Sequence, residues 1–330
     1  MSTLMKNMFL SATFVMVLTL VFCPTLLASQ PTESTDTFSG RVGLGFMFIN
    51  SGNNLNPNGS EKRITNLDDS ADPKLNVIPF IAPSFTYDAG EPGNFKLFFN
   101  TRPAIDEVGS FSFNLGGTYP TDIGVVELSA IVAPFERVWE NPYQLNTNRT
   151  TSPTSNYGTK LALNRIMNSG FHANIVVINR DVDDDIIGDI EPDLQREGQV
   201  YALNINYLKT FSRSFGIRPR FSIRKGEFEG ESNSFTKVKL SLDGRYTHQK
   251  FTVLPQVSYA YKKNDKVHPI FNETKEENAL ELRLLMSYAE PFDLEDWAAQ
   301  MLVSYSYGDV NIDFYDTEAL TTGVFLVYNF

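Results

Sequence analysis

The stretch Phe38-Ser-Gly-Arg-Val-Gly-Leu-Gly-Phe-Met-Phe48 changes character at nearly every residue. Its even-numbered positions from 42 to 48 are all apolar, whereas its odd-numbered positions from 41 to 45 hold arginine or glycine. Successive side chains of a β-strand point to opposite faces, so this period of two predicts a strand with one apolar face and one small or polar face. Such a strand separates an apolar environment from a polar one.

The same alternation returns along most of the chain, which indicates an all-β protein. The alternating segments have about ten residues each, the usual length of a tilted β-strand that crosses a membrane. We therefore predict a transmembrane antiparallel up-and-down β-barrel of about fourteen strands, with twelve and sixteen as the alternative counts. The predicted strands are 37–49, 76–88, 94–101, 109–118, 122–133, 156–166, 171–180, 200–209, 215–224, 236–246, 251–262, 279–288, 297–307 and 317–330.

The connections between these segments alternate in length. The odd-numbered ones are mostly long, and the five longest are 50–75, 134–155, 181–199, 225–235 and 263–278. The even-numbered ones are mostly short, as at 119–121 and 168–170. A membrane barrel has long loops outside and short turns on the periplasmic side, so this parity favours a barrel over a secreted β-sandwich.

Composition excludes several other classes of protein. The net charge of −11 argues against a nucleic-acid binder, which needs a basic face. With 13% aromatic residues the chain is not disordered, and a single cysteine cannot build a disulfide scaffold. A helical protein with many membrane spans would be more than 42% hydrophobic. A transmembrane barrel fits because its polar and apolar residues alternate.

The first residues are typical of an export signal. Lys6 precedes an apolar run from Met8 to Leu27, and small residues follow at Ala28 and Ser29. This pattern predicts a secretory signal peptide at 1–28, a short N-terminal segment at 29–36 and a single barrel domain at 37–330. A helical membrane anchor is the alternative, but no basic stop-transfer flank follows the run. The short segment is too small for an N-terminal plug.

The last strand ends in an alternating apolar pattern. Phe330, Tyr328, Leu326 and Val324 share one face, which we expect to contact lipid. This pattern resembles the porin-like carboxy-terminal signature of bacterial outer-membrane proteins. The resemblance implies recognition by the barrel-assembly machinery and a place in the outer membrane after export through the periplasm. The alternative is an ordinary edge strand, although an unpaired apolar edge would aggregate in a soluble protein.

A second resemblance covers most of the chain. The opening Phe38–Phe46, an Asn-rich first loop and the stretch Trp139-Glu-Asn-Pro-Tyr143 resemble a proteobacterial (vibrio-type) family of outer-membrane β-barrel proteins whose function is unknown. The resemblance implies a location in the outer membrane. It brings no catalytic or binding residues with it.

The face opposite the lipid carries charge of one sign. Twelve inward positions are basic, and eight of them are predicted to form a basic wall of the pore: Arg218, Arg220, Arg224, Lys237, Lys239, Arg245, Arg283 and Arg41. The predicted inward acids are Glu127, Asp243 and Glu281. A basic lumen focuses the field for anions. The alternative is that these cations form ion pairs with the inward acids and with loop carboxylates and have no transport role.

Acidic residues concentrate in two long loops, around 181–197 and 227–231. A calcium loop beginning at Asp181 fails because Ile186 and Pro192 occupy the positions that need glycine and glutamate. Bridging to lipopolysaccharide through divalent ions, gating of the lumen and simple solvation all remain open.

Catalysis has little support in the sequence. The three histidines, His172, His248 and His268, have no serine or aspartate partner that their sequence neighbourhood would suggest. We therefore predict no enzyme, no cofactor and no metal. The sequence favours a passive porin-like channel for small hydrophilic solutes, with a preference for anions or acidic saccharides. The alternative is a non-conducting structural or adhesion barrel that acts through its outer loops. Expected partners are outer-membrane lipid, lipopolysaccharide, the barrel-assembly machinery and the solutes.

Overall fold

A computed structural model describes residues 37–90, 94–109 and 111–330 of the chain. The expected signal peptide and the segment 29–36 lie outside the described residues. The described chain forms one antiparallel sheet. Its strands are β1 (Phe38–Gly52), β2 (Lys74–Asp88), β3 (Lys96–Asn100), β4 (Phe113–Thr121), β5 (Gly124–Trp139), β6 (Thr151–Asn164), β7 (Phe171–Val182), β8 (Gly198–Tyr207), β9 (Lys209–Thr210), β10 (Phe215–Phe228), β11 (Phe235–His248), β12 (Phe251–Val267), β13 (Thr274–Ala289), β14 (Trp297–Val310) and β15 (Thr317–Asn329).

The sheet closes on itself because β1 pairs with both β2 and β15. The closing register places Leu44 opposite Leu326, and Gly40 exchanges backbone hydrogen bonds of 2.7 and 3.0 Å with Phe330. The two-residue β9 pairs with β10 on the same side as β8 and continues it after a break. The barrel therefore has fourteen strands around its circumference, which confirms the predicted fold and strand count.

The outer surface of the barrel is apolar. Large side chains at alternate positions stay exposed, among them Leu44, Ile81, Leu128, Leu240 and Leu282. Aromatic residues such as Phe38 and Tyr87 stand exposed near the strand ends. Because each pleated strand turns every second residue outwards, the alternation that predicts the strands also produces this belt. Among the described residues, no helix is long and apolar enough to cross a membrane.

The two ends of the barrel differ. At one end, here called the short-turn end, connections such as 122–123 and 249–250 have two residues. At the other, the long-loop end, several strands run further than predicted: the expected loop 134–155 is strand up to Trp139 and again from Thr151. In the first extension a register shift between Ala133 and Glu136 breaks the period of two, and the second begins with the polar run 151–155, so hydrophobic alternation marks neither as a strand.

The third connection differs most from the prediction. β3 has only five residues, beside fifteen in β2 and sixteen in β5. The predicted fourth strand at 109–118 begins only at Phe113. Between β3 and β4 the chain leaves the barrel wall and enters the lumen. Residues 101–109 are called the inserted segment below.

The lumen contains a hydrophobic core on one side. Ile105 and Val108 of the inserted segment are buried against inward side chains of β5, β7, β8 and β11, which are Ile131, Ala133, Val176, Ile178, Val200, Ala202 and Phe235. The inward face therefore holds apolar residues as well as the expected polar ones. They are needed because a segment placed inside the barrel must itself be packed.

Candidate functional site in the barrel lumen

The inserted segment crosses the lumen from β3 and β4 towards β10 and β11. Asp106–Val108 form a single 3-10 turn, and the turn ends at Gly109, whose φ of 112° disfavours any residue with a side chain. Asn156 of β6 fixes the turn by donating a 3.0 Å hydrogen bond from Nδ2 to the Val108 carbonyl. The apolar side chains of the turn thus face the hydrophobic core, and its two acids face β10 and β11.

Those two acids form the acidic pair, Asp106 and Glu107. Arg224 Nη1 lies 2.9 Å from Asp106 and also binds Glu107. Lys237 Nζ lies 3.0 Å from Glu107, and Lys239 Nζ lies 2.9 Å from Asp106. The Arg224 side chain is only 5% exposed. Ions this deeply buried are stable only when paired, so the acidic pair and its three cations hold one another in place.

The other members of the predicted basic wall lie nearer the short-turn end. Arg220 Nη2 lies 2.8 Å and Arg218 Nε 3.4 Å from the buried Asp243. Lys239 also lies 3.2 Å from Glu281, which binds Arg283 as well. Cations of the predicted wall thus pair with two of the three predicted lumen acids.

Three predicted lumen residues stand apart from these pairs. Glu127 binds Lys160 Nζ at 2.8 Å, on β5 and β6. Arg245 donates from Nε to Thr247 Oγ1 at 3.1 Å, near the short-turn end. Arg41 lies on β1, away from β10 and β11, although it lines the same cavity as Arg218.

Below the inserted segment, the lumen opens into a cavity of about 620 Å³, called the chamber here. Among the described residues, eight cationic side chains and two carboxylates line it. The carboxylates are Asp106 and Glu281, and the cations are Arg41, Arg102, Lys160, Arg218, Arg220, Arg224, Lys239 and Arg283. Lys237 and Arg245 lie outside this lining. Four of these cations also pair with carboxylates that lie outside the lining, Glu107, Glu127 and Asp243, so eight positive charges stand against five negative ones among the described residues.

The long loops pack together into a cap over the long-loop end. Tyr143, in the connection from β5 to β6, lies 3.1 Å through its hydroxyl from Nε2 of His268, in the connection from β12 to β13. Tyr315, between β14 and β15, lies 2.7 Å from the same nitrogen. These loops lie about six strands apart around a fourteen-stranded barrel. The contact thus spans the mouth.

Arg149 holds the same cap together from another side. Its guanidinium donates to the carbonyls of Asn54 at 3.0 Å, Pro142 at 2.9 Å and Glu61, and it stacks over Trp139 at 4.3 Å from the ring centroid. Burial lowers the pKa of Arg149 to about 10. An arginine buried among carbonyls joins the β1–β2 loop and the β5–β6 loop in one fixed arrangement.

Burial also shifts the pKa values of Tyr143 and His268, whose side chains meet in the cap. It raises the pKa of Tyr143 to about 12, and it lowers the pKa of His268 to about 4 with a smaller contribution from the Lys275 ammonium. Both groups are therefore uncharged at neutral pH. The bridge consists of neutral hydrogen bonds, which suits a buried site.

The acidic loop between β7 and β8 is ordered by its own residues. Asp185 accepts a hydrogen bond from the Gly188 N–H at the start of the short helix Ile186–Ile190. It also accepts 2.8 Å hydrogen bonds from the backbone N–H and from Nε of Arg196. Within the described part of the chain, no three His, Cys, Asp or Glu side chains form a group that could hold a metal ion.

Sequence reasoning missed the residues that narrow the lumen. Asp106 and Glu107 lie in a seven-residue connection, 102–108, which alternation alone treats as an ordinary loop. One available signal was the pair of acids flanked by Ile105 and Val108. An acidic pair with apolar neighbours on both sides suits a segment that is packed on one side and ion-paired on the other.

A family model described as "Protein of unknown function (DUF2860)" matches residues 37–329. The chain belongs to this family. The match confirms the predicted membership of a family whose function is unknown. Comparison with curated proteins gives no match.

Several solved structures are similar to this DUF2860 protein in fold. The anion-selective porin from Comamonas acidovorans shares 9% identity over 89% of this chain and 99% of its own, with a TM-score of 0.42. OmpT, an outer membrane protein of Vibrio cholerae, shares 10% identity over 90% and 99%, with a TM-score of 0.42. An outer membrane channel from Pseudomonas putida F1 shares 12% identity over 92% and 100%, with a TM-score of 0.44.

Two of the three histidines of this DUF2860 protein bind other side chains. His172 Nδ1 lies 3.1 Å from the amide oxygen of Asn164. His268 contacts two tyrosine hydroxyls. Among the described residues, neither set of contacts includes a carboxylate, which the histidine of a Ser-His-Asp triad needs.

Proposed function

We propose that the protein is an outer-membrane channel, without enzymatic activity, for small hydrophilic solutes and that it prefers anions. One observation carries the proposal: eight cationic side chains and only two carboxylates line the chamber, among the described residues. A cavity with low-dielectric walls and one sign of charge raises the local concentration of the opposite ion. Solutes with carboxylates, acidic saccharides among them, match this field.

The outer surface of the barrel supports the proposal that it spans the outer membrane. Exposed leucines and isoleucines form the belt, and exposed aromatics stand near its edges, as in barrels that span the outer membrane. In this orientation the short-turn end faces the periplasm and the cap faces outwards, where it contacts lipopolysaccharide. Export by the signal peptide and recognition of Phe330 and Tyr328 by the barrel-assembly machinery belong to the same proposal.

The inserted segment supports selectivity rather than free diffusion. It crosses the lumen above the chamber, and its acidic pair neutralises part of the basic wall there. An anion that leaves the chamber must pass close to Arg224, Lys237 and Lys239, whose charges the acidic pair balances. Anions are attracted strongly to the chamber and more weakly to the level where the inserted segment crosses the lumen. This difference lets a solute both enter and leave.

Reversal potentials in planar bilayers under a potassium chloride gradient test the proposal. We expect an anion-selective reversal potential for the full chain. The triple variant R218Q/R220Q/D243N removes two cations together with Asp243, the buried acid that they bind, so no buried carboxylate is left without its cations. It should shift the reversal potential towards zero. Lys263→Gln, an exposed position near the long-loop end, serves as the control. Cation selectivity or an absence of conductance would refute an anion channel.

A second function has one observation in its favour. The cap joins loops from nearly opposite sides of the barrel, which suits a non-conducting barrel that acts in adhesion or envelope integrity. Replacing 183–197 with a short turn separates the two functions. A channel keeps its anion selectivity after this replacement, whereas an adhesion barrel loses surface binding and has no conductance before or after it.

A further inference from the structure

The chamber has a second wall that is apolar. Inward side chains on five neighbouring strands, β13, β14, β15, β1 and β2, contribute to it: Leu285, Leu302, Phe325, Val327, Met47 and Phe80. These six residues are called the apolar wall. They lie on the inward face, away from lipid, and border the cavity that also holds the basic side chains.

The apolar wall is built by close packing around one glycine. Gly45 pairs with Phe80 on one side and with Phe325 on the other. The two rings meet edge to face above it, with centroids 5.5 Å apart and planes at 67°. A methyl group on Gly45 would come within 2.5 Å of the Phe325 ring. The glycine thus leaves the space in which the two rings meet.

Arg218 and Arg220 stand across the lumen from this wall, whereas Arg41 and Arg283 lie on two of its own strands, β1 and β13. Phe80 on β2 and Arg220 on β10 are seven strands apart in a fourteen-stranded barrel, so they face each other from opposite sides. Arg218 lies beside Arg220 on the same strand. A volume of about 620 Å³ falls within the range of small-molecule sites, roughly 300–1,000 Å³. Both walls therefore line one cavity of small-molecule size.

A purely hydrophilic anion would leave the apolar wall in contact with water. A purely apolar ligand would desolvate the arginines without compensation, which is costly. A solute with an acidic group at one end and a compact apolar body at the other satisfies both walls. Arginine fits such an acidic group well because its planar fork pairs with two oxygens.

We propose that the chamber binds organic anions with an apolar body, of the aromatic carboxylate or sulfonate class. This proposal rests on the proposed channel function and names its substrate class. The acidic group lies on the side of Arg218 and Arg220, and the ring lies against Phe80, Phe325 and Leu302.

Binding to the full chain in lipid nanodiscs tests the substrate class. Three probes separate the contributions of the two walls: benzenesulfonate carries both parts, methanesulfonate only the anion and benzyl alcohol only the ring. We expect benzenesulfonate to bind about tenfold more tightly than either of the others, because each wall adds affinity. Equal affinities for benzenesulfonate and methanesulfonate would overturn the proposal.

Variants of the apolar wall make the test specific. Phe80→Ser and, separately, Leu302→Ser should reduce the preference for benzenesulfonate over methanesulfonate to about twofold or less. Ile81→Ser is the matched control, since it removes a neighbouring apolar side chain that is 60% exposed on the outer surface. A preference that survives both chamber substitutions would overturn the assignment of the apolar wall. Leu302→Ser keeps the test valid if Phe80→Ser does not fold.

The reversal potential distinguishes the two proposals. If chloride selectivity is present and the preference for benzenesulfonate is absent, the substrate class is wrong and the channel stands. If chloride selectivity is absent, the channel function fails first, and binding of benzenesulfonate then describes a closed binding site.

Discussion

The hydroxyl oxygens of Tyr143 and Tyr315 lie 2.6 Å apart, although their loops start from nearly opposite sides of the barrel. Both also contact Nε2 of His268, and the three rings pack with Phe271 and Phe314 into a small core. A hydrogen bond between loops so distant around the barrel holds the cap closed. The state of His268 therefore decides how firmly the mouth is covered.

Acid should open the cap. The Ile270 N–H donates to Nδ1 of His268, so the neutral ring carries its proton on Nε2, facing the tyrosines. Protonation would place a second proton on Nδ1 against that N–H. The pKa of His268 in the folded protein, about 4, lies below its ordinary value of 6.5. The stability that neutral His268 gives the cap is therefore complete above pH 6.5 and is lost as the pH falls to 4. The loss amounts to about 3 kcal/mol.

Protease accessibility of the long loops between pH 7 and pH 4 measures this opening. We expect faster cleavage in the acidic range for the wild-type chain. His268→Gln should be cleaved at a rate that no longer changes with pH. His248→Gln, at the end of β11 on the short-turn side, should behave as wild type. Identical pH profiles for wild type and His268→Gln would contradict the role of His268.

Neutralising the acidic pair should release the inserted segment. In D106N/E107Q, the buried Arg224 and the neighbouring Lys237 lose their charged partners, which costs about 3–5 kcal/mol for a broken buried pair. The segment should then move away from β10 and β11, which raises conductance and makes the lumen more anion-selective. Single-channel recordings measure both effects.

A control variant distinguishes the effect of the acidic pair from the effect of removing an acid elsewhere in the protein. Asp313→Asn removes one acid, where D106N/E107Q removes two, and it does so at an exposed position in the cap. We expect its conductance and selectivity to equal those of wild type. Unchanged conductance in D106N/E107Q would mean that the ion pairs do not position the segment.

Gly45 should be intolerant of any side chain. A Cβ there would lie 2.0 Å from the carbonyl oxygen of Val324, in the seam that closes the barrel. At Gly43, two residues away on the same face, the nearest atom would be an ordinary 3.6 Å away. We expect Gly45→Ala to lower the free energy of unfolding by about 1–3 kcal/mol or more and Gly43→Ala to change it little. Urea unfolding followed by tryptophan fluorescence tests this contrast, and equal midpoints would contradict it.

The last residue should matter more for assembly than for stability. The Phe330 side chain is exposed and packs against rings on the outer surface, such as Phe38 at 5.8 Å and Tyr328 at 5.9 Å between ring centroids. We expect Phe330→Ser to reduce the amount of folded barrel in cells several-fold while the purified chain still refolds in detergent. Phe292→Ser, an exposed aromatic in a short turn, is the control. A refolding defect as large as the cellular one would mean that the residue acts through stability alone.

The sequence predicted the structure correctly along the strands in which every second residue faces lipid. The alternation in β1 and β15 gave the strands, their outer faces and the exposed positions of Val324, Leu326, Tyr328 and Phe330. It failed at the third connection, because a segment that leaves the wall no longer alternates between lipid and lumen. It also ended the fifth strand at 133, although β5 continues to Trp139, because a register shift between Ala133 and Glu136 breaks the period of two.

The sequence also predicts some residues of the candidate site and misses others. The inward positions of Arg218, Arg220 and Arg224 follow from strand parity, and the sequence alone predicts their shared strand. Asp243, the partner of Arg218 and Arg220, was among the predicted inward acids. The partner of Arg224 does not follow from the sequence, because Asp106 lies 118 positions away in the chain and reaches Arg224 only through the closed barrel. The apolar wall was missed as well, since small and apolar residues on an inward face look like ordinary strand residues until the cavity is known.

The sequence by itself thus determined the barrel, its strand parity and its apolar exterior, because the contrast between lipid and water acts on every second residue along each strand. Only the tertiary structure decided what fills the lumen and covers the mouth. Those features depend on contacts such as Arg224 with Asp106 and Tyr143 with Tyr315, which join residues far apart in the chain. Such contacts depend on how the barrel closes, and a local pattern contains no information about them.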